Sequence, residues 1–245
     1  MPVIVFASSK GGAGKTTACV TLAGELSRQG LEKNILVNLI DADPNQHSAK
    51  WALKDGCPKN ILLIQNSNEE RILDDIEDAE ERGGIVLVDL EGTASMAVAH
   101  AISRADMVIA LCQGSQDDAD EAVKTIKLIR RQSRALQRDI PYSVLFTRTN
   151  PAIKPRTLRA IMRDLENAGV DMFSTSLIDR EAFRAVRSFG GIINDLDPKE
   201  VSGIEKASAN AKAFAEEVKQ KLMTHMKERI TNYSRVNKKE LVTHD

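Results

Sequence analysis

Short apolar runs recur along the chain with helical patterns between them. The runs are Val3-Ile4-Val5-Phe6-Ala7, Ile35 to Ile40, Ile61-Leu62-Leu63-Ile64, Ile85-Val86-Leu87-Val88, Met107 to Leu111 and Tyr142 to Phe146. Each reads as a buried strand. Pro141 stands at the start of the last, and Gly83-Gly84 and Asp89 bound the fourth. Thr16 to Leu26 repeats apolar residues at helical spacing, and Ile72, Leu73 and Ile76 do so within an acidic segment. Ser115 with Asp118 forms a capping box that predicts a helix to about Leu136. Residues 202 to about 228 predict a last helix, with Ile204, Ala207, Ala211, Phe214, Val218 and Leu222 on one stripe. Near-continuous apolar strands alternating with helices predict an α/β, doubly wound, mostly parallel sheet with helices on both faces. The expected organisation is one domain over 1–228 and a basic, flexible tail over 229–245.

In such a sheet, ligands bind beyond the carboxyl ends of the strands. The first strand runs into Ser9-Lys10-Gly11-Gly12-Ala13-Gly14-Lys15-Thr16-Thr17, and a helical pattern follows at once. Strand, glycine loop and helix, in that order, make a phosphate cradle: backbone N–H groups face the anion and the helix dipole favours its charge. Gly11, Gly12, Ala13, Gly14, Lys15, Thr16 and Thr17 are therefore the expected nucleotide contacts. Lys15 reaches the β- and γ-phosphates, and the Thr16 hydroxyl sits on Mg²⁺. The ordinary loop has glycine where this chain has Ser9, and here a second lysine, Lys10, precedes the glycines.

That K-G-G-x-G-K-T-T form resembles the deviant Walker A loop of the ParA/MinD family of ATPases. The resemblance implies a P-loop fold, ATP and Mg²⁺ as ligands, and a homodimer that sandwiches two ATP molecules. It implies that Lys10 reaches the partner copy's nucleotide. Two further strand ends fit. Asp41-Ala42-Asp43-Pro44 is similar to the family's second motif, in which Asp43 aligns the attacking water and Asp41 supports the Mg²⁺ shell. Asp89, closing the fourth apolar run, matches the Walker B position that holds Mg²⁺. The following Leu90-Glu91-Gly92-Thr93-Ala94 departs from the usual family pattern; Gly92 there offers mobility near the γ-phosphate, and Glu91 stands open as a second acid. Thr147-Arg148-Thr149-Asn150-Pro151 corresponds to the loop near the base and makes Asn150 a candidate contact. Together with Cys112-Gln113-Gly114-Ser115, the Asp89–Ala94 run looks most like VirC-type proteins of conjugative DNA transfer.

Composition sharpens partners more than fold. The 245 residues carry a net charge of −1, with 42% hydrophobic and 28% charged residues. Any nucleic-acid binding must come from a local patch. Lys124, Lys127, Arg130, Arg131, Arg134 and Arg138 form one basic group; Lys154, Arg156, Arg159 and Arg163 a second; Arg180, Arg184 and Arg187 a third. Spacings of three and four put Arg156, Arg159 and Arg163 on one helix face, and likewise Arg180, Arg184 and Arg187. These six are the expected DNA contacts, non-specific and ATP-dependent by the resemblance. An adaptor such as a centromere-binding protein is the expected second partner.

The chain shows no secretory signal and no run long enough to span a bilayer, so a cytoplasmic protein is expected, nucleoid-associated when ATP-bound. Its basic end nearly lacks the apolar anchors of a membrane-binding helix. The scattered Cys19, Cys57 and Cys112 suggest neither a disulfide framework nor a zinc site. The function expected is a ParA-like ATPase driving partition or positioning of a DNA cargo. The alternatives are a VirC-like accessory ATPase of conjugative transfer and, from another class, an ATP-dependent small-molecule kinase or ligase.

Overall fold

The computed structural model describes the backbone of residues 1–93, 95–150 and 155–242, and the side chains of these except at 230 and 232–242. Its strands are β1 (Val3–Ala7), β2 (Val37–Ala42), β3 (Ile61–Ile64), β4 (Ile85–Leu90), β5 (Met107–Cys112), β6 (Tyr142–Thr149) and β7 (Leu177–Ile178). Its helices are α1 (Lys15–Gly30), α2 (His47–Ala52), α3 (Ile72–Arg82), α4 (Met96–Arg104), α5 (Gln116–Leu136), α6 (Arg156–Asn167), α7 (Glu181–Phe189) and α8 (Ile204–Val242).

Alternation along the strands sorts side chains to two faces. Ile4 and Phe6 of β1 join Leu39, Leu87 and Ile109 in a core covered by α1, α7 and α8. Val3 and Val5 join Ile40, Val86, Val88 and Val108 in a second core covered by α3 and α4. A smaller cluster under α5 and α6 packs Val144 and Phe146 against Leu158 and Ile161. Burial on both faces is why these strands read as unbroken apolar runs.

All pairings are parallel, in the order β3-β2-β4-β1-β5-β6-β7. The expected doubly wound parallel sheet is therefore the observed one. From β1 the chain crosses to β2 on one side, and from β4 it crosses over β1 to β5 on the other. The loop after β1 sits where the winding reverses, flanked by the carboxyl ends of β4 and β5.

Three local features differ from the sequence pattern. The second strand starts at Val37, because Ile35 is exposed beside the turn at Asn34. The two-residue β7 carries no recognisable run and exists because β6 offers it a paired edge. Helix α8 continues to Val242 rather than ending near 228. No glycine or proline interrupts that stretch, and Arg229 Nη1 pairs with Asp106 Oδ1 at 2.9 Å where the helix leaves the sheet.

Candidate functional site: a phosphate loop between two clefts

The loop of residues 8–14 joins β1 to α1. Gly14 takes φ 97°, a left-handed conformation that glycine adopts without strain, and α1 begins at once with no side-chain cap and no acid in its first turn. Its first N–H groups are left for an anion. Two loop carbonyls are tied down from neighbouring segments: Gln113 Nε2 donates to Gly12 O at 2.8 Å, and Thr147 Oγ1 donates to Ala13 O at 2.7 Å. Lys15 is buried, which lowers its pKa, while the charges of Asp89, Asp43 and Glu91 pull the other way.

A cleft of about 430 Å³ opens over this loop. Gly11, Gly12, Gly14, Lys15, Thr16 and Thr17 line it, facing Asp43, Glu91 and Gly92. Gly92 is packed tightly against the loop: a Cβ there would lie 2.7 Å from Gly11 N. Its lack of a side chain serves this close approach.

Of the three expected aspartates, Asp41 and Asp89 lie side by side and Asp43 lines the cleft. Asp41 and Asp89 are direct neighbours on β2 and β4, and both are fully buried. Asp41 accepts backbone N–H groups at both oxygens, from Asp43 at 3.0 Å and Ala49 at 2.7 Å. It thus shapes the turn into α2. Burial, with the Asp41 charge, pushes the Asp89 carboxyl up to about 7. The hydroxyls of Thr16 and Ser48 stand close enough to oppose that rise, yet neither Asp89 oxygen makes a hydrogen bond of normal geometry. An orphaned buried carboxylate beside Thr16 fits a cation. Among the described residues no three His, Cys, Asp or Glu converge as a protein metal cage; Mg²⁺ needs none, since it keeps water and phosphate oxygens in its shell. Asp43 is half-buried, and its Oδ1 accepts from Asn45 N at 2.8 Å.

Lys10 does not line this cleft. Its Nζ pairs with Asp118 Oδ1 at 2.8 Å, and its side chain is 46% exposed. The hydrogen bond and charge of Asp118 raise its pKa. Asp118 is also the acid of the α5 capping box, accepting from Ser115 Oγ at 2.5 Å. Ser9, standing where an ordinary loop has glycine, donates to Glu121 Oε2 at 2.6 Å, and its N–H reaches Thr125 Oγ1 at 3.1 Å. The loop is therefore clasped to the start of α5. Sequence pattern identified the capping box but not this second use of Asp118, because residues 108 positions apart meet only in the fold.

A second cleft, about 360 Å³, adjoins the first at Gly14 and Thr17. It is lined by Thr147, Arg148, Leu177, Phe183 and, from the third basic group, Arg180, Arg184 and Arg187. These three line one cleft beside the phosphate loop, where Arg187 also reaches the first cleft and the Arg184 side chain is 59% exposed. Arg184 is paired with Asp179 at 2.5 Å and Glu181 at 2.9 Å. By contrast, Arg156, Arg159 and Arg163 are all exposed on α6, opposite its buried Leu158, Ile161 and Leu165. Lys154 lies outside the described residues. Asn150 is exposed just past β6. Within the first basic group, Arg138 donates to Ser103 O and Ala105 O, and Arg130 to Tyr142 Oη, so both brace the fold.

Comparison with known proteins agrees with this geometry. Residues 1–220 match the family model described as VirC1 protein. The chain is similar to a protein named ParA from Rhizobium radiobacter, 36% identical over 222 residues that cover 91% of this chain and 98% of that one. It is 29% identical to the virC1 protein of Rhizobium rhizogenes over 195 residues, 78% of this chain and 82% of the other. Among solved structures, the ATP complex of a Cyanothece McdA variant superposes with a TM-score of 0.72 at 15% identity, covering 89% of this chain and 96% of that one.

Proposed function

The chain belongs to the VirC1 family of ParA/MinD-type proteins, and on that premise we propose that it is an ATP-hydrolysing switch that dimerises around ATP, binds DNA non-specifically and so drives partition or positioning of a DNA cargo. The Gly11–Gly14 backbone, Lys15 and Thr17 hold the phosphates. Thr16 and Asp89 hold Mg²⁺, with Asp41 fixing the turn behind them. The metal, when bound, neutralises charge on the β- and γ-phosphate oxygens. Asp43 aligns the water for attack. Lys10 neutralises charge developing on the partner copy's nucleotide, as cations supplied across an interface do.

The observation that carries the dimer reading is the position of Lys10. It stands half-exposed at the rim, held by Asp118 and not by its own phosphate cleft. A lysine so placed is available to a second copy. The test measures ATPase rate, dimer mass and DNA retention together. Asp43→Ala is expected to stop turnover and keep ATP-bound dimers on DNA. Lys10→Ala is expected to bind ATP yet remain monomeric. Normal dimerisation and hydrolysis by Lys10→Ala would sink the sandwich reading.

The VirC1 family match favours one second reading, an accessory ATPase of conjugative DNA transfer. The two differ in adaptor. Partition requires a centromere-binding protein that stimulates ATP turnover, and transfer a component of the DNA-processing machinery. Stimulation assays with each class separate them.

A further inference from the structure

Arg187 stands apart from the other basic residues of α7. It lines both the phosphate cleft and the adjoining second cleft. Its Nε is buried and makes no hydrogen bond within the chain. Arg184, one turn earlier, is already neutralised by Asp179 and Glu181, whereas Arg187 has no ion pair among the described residues. A half-buried guanidinium with an unused buried donor, facing a pocket built for an anion, lacks its counter-charge.

Position narrows what that counter-charge is. Lys15 and Thr16 line the phosphate cleft but not the second one, as do Asp43 and Glu91. This is the β- and γ-phosphate end. Gly14, Thr17 and the exposed Arg148 line both clefts, as does Arg187. The junction therefore lies on the side of the α-phosphate and ribose. Helix α7 is held there firmly, since Phe183 and Val186 share the core of α1 residues Ala18 and Leu22.

We infer that Arg187 is a cationic anchor for the bound nucleotide, supplied in cis by α7 at its α-phosphate and ribose end. Arginine suits the role because its planar fork keeps its charge and can donate two parallel bonds to phosphate oxygens. The inference rests on the nucleotide-binding reading above and adds to it. It makes α7 part of the nucleotide site and leaves Arg156, Arg159 and Arg163 of α6 as the DNA contacts to test first. It also makes nucleotide occupancy a restraint on α7.

The test titrates fluorescent mant-ATP and mant-ADP into the full chain without DNA. Arg187→Ala is expected to weaken both by about tenfold or more, since each ligand carries the same α-phosphate. Arg187→Lys keeps the charge but not the fork, and is expected to recover part of that loss. Parent-like binding by Arg187→Ala would overturn the inference. A loss confined to mant-ATP would move Arg187 to the γ-phosphate and overturn its assignment. Equal losses in both variants, at unchanged helical circular dichroism, would mean packing and not charge, and would overturn it too. Failure of the parent chain to bind either probe would instead sink the nucleotide reading itself.

Discussion

At the scale of single residues, Asp89 has the sharpest measurable signature. Its carboxyl is raised to about 7 by burial and by Asp41, so in the absence of a cation the folded state favours the protonated form. Below about pH 4 the folded and unfolded states are both protonated and the group is neutral to stability. Between about pH 4 and 7 the unfolded chain ionises first, and folding loses stability as pH rises, on the order of 3 to 4 kcal/mol by pH 7. Above about pH 7 the loss levels off. Asp89→Asn removes it. Thermal melts of the nucleotide-free protein should show the variant gaining on the parent from about pH 5 to about pH 8, while Mg²⁺-dependent ATP binding is lost. A variant less stable at the alkaline end would mean that the carboxylate is not an unpaired charge. The position of Asp89 at a strand end, beside the phosphate loop, was legible in the sequence. Its coupling to Asp41 was not, because the two belong to strands far apart in sequence that meet only through sheet pairing.

At the scale of elements, α5 joins helix capping to the phosphate loop. Ser115 caps the helix and bonds Asp118, and Asp118 holds Lys10. Ser115→Ala is expected to cost about 1 kcal/mol from the lost cap. It should also loosen the loop, visible as faster amide exchange at Ser9 and Lys10 than the stability loss alone explains. The core side of the fold predicts larger effects. Phe214 of α8 is fully buried and packs edge-on against Phe173 at 5.6 Å. Phe214→Ala should cost about 3 to 5 kcal/mol in chemical denaturation with no direct change at the loop. The long elements were readable from periodicity. Helix α2 was harder, since it is short and takes its stability from packing on its neighbours and not from its own pattern.

At the scale of the whole molecule, charge placement outweighs charge total. A net charge of −1 gives no global attraction to DNA, so any DNA binding must come from an exposed local face such as Arg156, Arg159 and Arg163 of α6. If α6 is that face, DNA retention by the ATP-bound protein should fall steeply with salt, with a log–log slope of about 0.9 per phosphate contacted. Arg159→Ala should lower that slope by about one contact and leave ATPase activity without DNA unchanged. An unaltered slope would move the DNA face elsewhere.

The sequence by itself determined the parallel α/β architecture, the phosphate loop and the three strand-end aspartates. Those signals are local: apolar runs, glycines and acids at fixed distances along one stretch of chain. Only the tertiary structure decided how charges pair across the chain. It joined Lys10 to Asp118, placed Asp41 beside Asp89 and set the α7 arginines along a cleft beside the phosphate loop. Helical spacing tells which residues share a face. Which way that face points depends on what the helix packs against, and the packing partners lie far away in sequence.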